Sequence, residues 1–175
     1  MGRDGVRAFA VTLPPHLRLR PATDDDLPFL ARLYASTREE ELADVDWPAA
    51  QKEAFVRQQF EAQHAWYREH YAKAAFDVVE VDGQPAGRLY VDRWEREVRI
   101  VDISLLPEHR GRGLGSTLLE SLFAEADAAG KRVSVHVERF NPALRLYERL
   151  GFLFREDKGV YLLLERSVGG VAASG

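Results

Sequence analysis

The chain of 175 residues contains no cysteine. That removes disulfides, thiolate metal sites and a cysteine nucleophile, so acyl transfer through an enzyme-bound thioester is closed to it, and no metal is expected. No apolar run approaches the ~20 residues that a membrane-spanning helix needs, and residues 1–10 lack the apolar core of a secretory signal. The expectation is a cytoplasmic protein with no membrane contact. Positive charge is also in short supply: 24 Lys and Arg stand against 28 Asp and Glu, a net charge of −4. That balance argues against a nucleic-acid partner. The local basic cluster Arg88, Arg93, Arg96 and Arg99 reads as a solvated hairpin.

What is present fits one soluble globular domain. The hydrophobic fraction is 46% beside 30% charged residues, and the length suffices for a single core but is short for two. Residues 1–15 read as a polar, irregular arm, 16–166 as the domain and 167–175 as a disordered tail. No internal repeat occurs. Leu17 and Leu19 alternate with arginines in a first strand, and Thr23 with Asp26 three residues on marks the start of a helix over 27–37. The charged stretch 38–46 reads as a loop or short turn. A long helix over 47–71 follows, with Val56, Phe60, Tyr67 and Tyr71 on one face. Strands over 76–81 and 87–92 flank an Asp82-Gly83 turn, and a third apolar stretch runs over 98–106.

After that third stretch comes His109-Arg110-Gly111-Arg112-Gly113-Leu114-Gly115, and then the amphipathic stretch 114–129. A strand, a glycine loop and a helix start bring free amide N–H groups and the positive end of a helix dipole to one point, where a phosphate can approach. The spacing excludes the nucleotide-hydrolase P-loop, because no lysine follows Gly115 before Ser116. It also excludes the dinucleotide fingerprint, whose third glycine is replaced by Leu118. Arg110-x-x-Gly113-x-Gly115 instead resembles the acetyl-coenzyme A signature of the GNAT superfamily of N-acyltransferases.

The string Asn141-Pro142-Ala143-Leu144-Arg145-Leu146-Tyr147-Glu148-Arg149-Leu150-Gly151-Phe152, after a strand over 132–137, resembles that family's second motif. Asn141 is a suitable helix cap, Pro142 suits a first helical position, and Gly151 suits a left-handed helix end. Asn141 stands one residue closer to Tyr147 than the family's N-x-x-A-x-x-x-Y spacing, while Ala143 keeps its four-residue offset. The fold implied is α/β, GNAT-like, with a mixed, mainly antiparallel sheet flanked by helices in the order βααβββαβαββ. Its strands ending near Leu106 and Val137 would be parallel neighbours that splay apart, joined by the 114–129 helix.

The resemblance implies an N-acetyltransferase that moves the acetyl group of acetyl-CoA directly to an amine in a ternary complex. Leu105, Leu106, Arg110, Gly111, Arg112, Gly113, Leu114, Gly115, Ser116 and Asn141 would hold the co-substrate, with backbone near Leu105 and Leu106 beside the pantetheine arm. Tyr147 would protonate the departing thiolate. For the base that takes the amine's proton, His136, Glu138, Asp102 and water stay open, His136 being the first choice. The competing reading of Asp102 is an ion pair with an arginine on the neighbouring strand, Arg88 being a candidate. The acceptor is a small-molecule or peptide amine, and Glu39, Glu40, Glu41, Asp44 and Asp46 would favour a cationic one. Either a monomer or a homodimer is compatible. The alternative function is a non-catalytic acyl-CoA sensor or interaction module on the same fold.

Overall fold

The computed structural model describes residues 13–170, so the expected arm falls outside it except for 13–15, as do residues 171–175 of the expected tail. The fold is α/β, with seven strands in a mixed, mainly antiparallel sheet. Contacts along the 16–166 stretch gather into two compact units, one built from His16–Asp92 with Asp102–Arg112, the other from Arg93–Val101 with Gly113 onward.

The first unit opens with β1 (Leu17–Pro21), followed by α1 (Leu27–Ala43), α2 (Ala49–His70), β2 (Ala75–Val81) and β3 (Gln84–Arg93), and it includes the second half of β4 (Glu97–Leu105). β1 pairs with β2 and β2 with β3, both antiparallel. Asp82 and Gly83, at φ 51° and 79°, make the tight turn between β2 and β3, where only such backbone angles match the strand twist. Phe29, Leu30, Leu33 and Tyr34 of α1 and Val56 and Phe60 of α2 bury themselves against Val78 and Leu106. That apolar stripe fixes both helices, as burial of one face does for most helices of this length.

α1 runs on to Ala43, where a loop or short turn over 38–46 was expected. The charges there mark exposure, not an irregular backbone. Arg38 reaches Glu41 one turn on at 3.0 Å, and Leu42 packs on the helix-pair core, so good helix formers simply continue the helix. At the other end the Thr23 N–H donates to the Asp26 carboxylate at 2.8 Å, the contact that the Thr23 and Asp26 spacing announces.

Asp26 also accepts two hydrogen bonds of 2.8 Å from Arg20. Those bonds outweigh the cost of burial and hold its carboxyl at about 2, below the ordinary 3.8. A carboxylate with a depressed folded pKa stabilises the fold above about pH 4 and loses that contribution as pH falls through about 2, here on the order of 2 kcal/mol. Asp26→Asn is therefore expected to lower the denaturant midpoint at pH 7 and to converge with the parent near pH 2. Equal midpoints at both pH values would mean that the Arg20 pair contributes nothing.

The second unit holds the first half of β4, then α3 (Leu114–Ala128), β5 (Arg132–Glu138), α4 (Leu144–Arg149), β6 (Leu153–Asp157) and β7 (Tyr161–Arg166). β4 and β5 are parallel, paired from Glu97 with Arg132 to Ile100 with Val135, and the pairing stops there. β5 continues past that point while antiparallel to β7, and β7 pairs with β6. The crossover from β4 to β5 is α3, as a parallel pair requires. Leu118, Leu119, Leu122 and Phe123 of α3 are buried, as are Val133, Val135 and Val137 of β5. The tail expected to begin at Ser167 is ordered through a short turn at Val168–Gly170, where the Gly169 N–H donates to Asp127 at 2.8 Å. Asp127 is itself clamped by Arg166 at 2.9 Å, so a side-chain anchor overrides a glycine-rich composition.

Candidate functional site

The glycine loop has the backbone that its sequence demands. Gly111 and Gly113 sit at φ 73° and 76°, the left-handed region that side chains with a Cβ avoid. Gly113 caps α3, and the first backbone bond back to it is the Thr117 N–H to its carbonyl at 3.0 Å. The amides of Leu114, Gly115 and Ser116 therefore precede the helix's own hydrogen bonding and carry its positive end. A Cβ built at Gly111, Gly113 or Gly115 would meet no protein atom within 4 Å. The backbone on this side is open to a ligand. Gly115 is the informative one of the three, because its backbone angles suit any residue.

Arg110 does not extend away from the loop. Its Nε donates to the Leu105 carbonyl at 2.9 Å and its Nη2 to Ser36 at 3.3 Å, so the guanidinium braces the end of β4. The Leu106 N–H is likewise engaged, donating to the Ala86 carbonyl at 2.8 Å. Of the two backbone positions expected beside a pantetheine arm, Leu106 thus has no amide to offer without breaking that bond. Close by, Gly87 is a residue that sequence reasoning missed: a Cβ there would stand 2.3 Å from the Ser104 carbonyl oxygen. Nothing in a lone glycine within a strand pattern announces that contact.

Tyr147 is buried, with its ring edge-on to Phe152 at 5.2 Å, and Phe152 in turn against Phe123 at 5.5 Å. The Phe152 N–H donates to the Tyr147 carbonyl and Gly151 takes φ 93°, so the second motif ends its helix as its glycine suggests. Asn141 is used locally. Its side-chain oxygen accepts the Ala143 N–H at 2.9 Å, and α4 begins only at Leu144, so Asn141 and Pro142 build the turn before the helix and not its first positions.

β5 sends Val133, Val135 and Val137 to one face and Ser134, His136 and Glu138 to the other. His136 is the first residue beyond the paired part of β4 and β5. Its Nδ1 lies 3.2 Å from Nη1 of Arg99. Burial first, then the positive charges of Arg99 and Lys158, push the imidazole below its ordinary 6.5.

Arg99 overturns its reading as a solvated charge. It is 9% exposed, with Nε donating to Ser134 at 2.7 Å, Nη2 to Glu97 at 3.3 Å, and its Cζ 4.8 Å from the Trp94 ring centroid. Ser134 donates to Glu97 at 2.7 Å, and Arg132 binds the other oxygen of the same carboxylate. Burial alone would raise Glu97, but the bonds from Arg132 and Ser134 outweigh it and the carboxyl is held low. Arg93 is tied to Glu125 at 2.7 Å.

Arg96 is exposed, as a solvated hairpin implies, but Arg88 of the same basic cluster is buried and makes the ion pair foreseen for Asp102, at 2.7 Å. Tyr67 donates to the same Asp102 oxygen at 2.9 Å, and Arg88 also reaches Gln63 at 2.8 Å. Burial opposes the charge on Arg88, and the Asp102 carboxylate more than restores it. Asp102 is thereby committed to a structural pair. Among the described residues no group of three or more His, Cys, Asp or Glu could hold a metal, and no helix is long and apolar enough to cross a membrane.

Comparison with known proteins extends the picture from loop and strands to the chain. The structure of PaiA N-acetyltransferase from Thermoplasma acidophilum in complex with coenzyme A superimposes with a TM-score of 0.66 over 86% of this chain and 98% of that one, at 16% identity. RimL, a ribosomal L7/L12 α-N-protein acetyltransferase in complex with coenzyme A, gives 0.61 over 92% and 99%, at 19% identity. At such identities the likeness is one of fold. Streptothricin acetyltransferase of Streptomyces lavendulae is 37% identical over 84 residues, 45% of this chain and 44% of that protein. A putative ribosomal protein bS18-alanine N-acetyltransferase of Bacillus subtilis is 36% identical over 106 residues, 57% and 62%. The chain thus spans about half the length of the curated relatives it matches. The sequence model of the acetyltransferase (GNAT) family matches residues 37–152, from α1 through the glycine loop to the end of the Tyr147 motif, and on that match this chain belongs to the GNAT family.

Proposed function

We propose that this protein is an N-acetyltransferase that moves the acetyl group of acetyl-CoA directly to an amine. The observation that carries the reading is the glycine loop: left-handed Gly111 and Gly113, unspent amides at the start of α3, and open space over Gly115, all inside the segment that matches the family. In this reading the amides of Leu114, Gly115 and Ser116 take the pyrophosphate, with Gly111 and Gly113 giving it access and Arg112 adding positive charge. Arg110 contributes by bracing Leu105, and Asn141 by shaping the turn before α4. Direct transfer also suits a chain with no cysteine to carry the acyl group.

The amine nitrogen bonds to the thioester carbon, the carbon–sulfur bond breaks, and the departing thiolate takes its proton from Tyr147. The amine's proton leaves to solvent, and solvent returns one to the Tyr147 phenolate, so the cycle closes with no net gain or loss of protons. Acceptor candidates remain small-molecule and peptide amines, a range to which the streptothricin and ribosomal-protein acetyltransferases both belong by name.

Gly115→Val tests the loop. Because the site is open and Gly115 has helical angles, valine there leaves the fold intact while standing where the phosphate must come. The expected result is a melting temperature within a few degrees of the parent, and a loss of at least tenfold in acetyl-CoA affinity by calorimetry. Gly113→Val is a poorer probe, since its positive φ would strain the fold itself. Undiminished affinity in Gly115→Val would move the co-substrate off this loop. A panel of amines assayed for free thiol then tests turnover; binding of acetyl-CoA with no thiol release from any amine would favour the sensor reading.

A further inference from the structure

Arg99 has no freedom to turn. Its three guanidinium nitrogens go to Ser134, His136 and Glu97, and its Cζ lies over the Trp94 ring. A guanidinium has only donors, so the Nδ1 atom of His136 facing it must be the acceptor. In the neutral ring the proton then sits on Nε2. Protonating Nδ1 would set an N–H against a fixed N–H of a permanent cation, at a cost that no rotation of Arg99 can relieve. The other charged groups around the ring do not reverse this. Lys158 opposes a positive imidazole, Glu156 and Glu97 favour one, and Glu97 is already shared among Arg99, Arg132 and Ser134. On the same strand face, Glu138 and Ser134 flank the ring, while Tyr161, Leu163 and Glu165 of β7 stand opposite these three positions.

We propose that Arg99 is a positioning residue that holds His136 as the neutral Nε2–H tautomer, so that His136 donates a hydrogen bond to an oxygen of the acceptor instead of taking the amine's proton. The acceptor is then an amine carrying an oxygen acceptor near its nitrogen, an amino amide or amino alcohol, and not a plain alkyl polyamine. This placement of the acceptor rests on the acyltransfer reading. The tautomer does not.

The first test is therefore spectroscopic, on the intact parent protein labelled with nitrogen-15 at histidine. The expected spectrum shows His136 with its proton on Nε2 and a titration midpoint below 6.5. Arg99→Gln should raise that midpoint and mix the tautomers, and Arg99→Lys should restore the low midpoint without the single tautomer. A proton on Nδ1, or a midpoint at or above 6.5 in the parent, overturns the proposal.

The second test is kinetic. His136→Ala should lose roughly tenfold in kcat/KM for an amino amide, mostly in KM, and His136→Gln, whose amide N–H reaches nearly the same place, should recover the greater part. The acid limb of the pH profile should be the same in the parent and His136→Gln. A glutamine variant as poor as the alanine one, or an acid limb that disappears with the histidine, makes His136 the base and defeats the donor role. Turnover of no amine at all defeats the acceptor half together with the acyltransfer reading, and the spectrum still decides the Arg99 half.

Discussion

Tyr147→Phe is expected to lower turnover about a hundredfold while acetyl-CoA affinity stays within about twofold. The substitution keeps the ring that packs edge-on to Phe152 and removes only the hydroxyl, so the α4 end of the second unit has no reason to rearrange. Loss of a general acid costs roughly 10² to 10⁴ in rate, and a thiolate is a fair leaving group, so the lower end applies. Folding should lose at most about 1 kcal/mol, the net worth of one hydrogen bond. Single-turnover measurement of thiol release separates the chemical step from product release. An unchanged rate in that assay would return Tyr147 to core packing and strengthen the sensor alternative.

Gly87→Ala is expected to destabilise the protein by about 3 kcal/mol, more than alanine costs at an ordinary strand glycine. The obstacle is backbone: the new Cβ would lie 2.3 Å from the Ser104 carbonyl and 2.7 Å from the Leu105 side chain. No rotamer change moves a carbonyl, so the end of β4 must shift. That end is held by Arg110 on the Leu105 carbonyl and by the Leu106 amide on Ala86, and both bonds would be strained together. Under the acyltransfer reading the same shift displaces the backbone beside the pantetheine arm. The KM for acetyl-CoA should then rise at a temperature where the variant is still folded. Chemical denaturation measures the first effect, and a variant as stable as the parent would show that β3 and the end of β4 have room to separate.

Local regularities were legible in the sequence because each depends on neighbours along the chain. The 2.0 and 3.6 periods gave the alternation of strands and helices, and glycines at 111, 113 and 151 announced positive φ. The Asp82-Gly83 turn and the contact between Thr23 and Asp26 are of the same kind. Where local signals are ambiguous the structure differs from them: the charged residues 38–43, which suggest a loop or short turn, continue α1, and Val168–Gly170, which suggest a disordered tail, form a short turn. In each case a contact that the string does not display decided the outcome, Leu42 on the helix core and Asp127 on Gly169.

The site divides the same way. Sequence by itself determined that a glycine loop starts a helix, that a tyrosine lies on the helix of the second motif, and that covalent transfer through cysteine is excluded. It also foresaw the Asp102–Arg88 pair, because two opposite charges on adjacent apolar strands must meet if both are buried. Only the tertiary structure decided which arginines are solvated and which are buried, and which nitrogen of His136 is spent. Arg99 and His136 are 37 residues apart. They meet because β4 and β5 run parallel in one register, and that register is fixed by the packing of valines and leucines on the opposite face, which carries no trace of the polar chemistry it aligns.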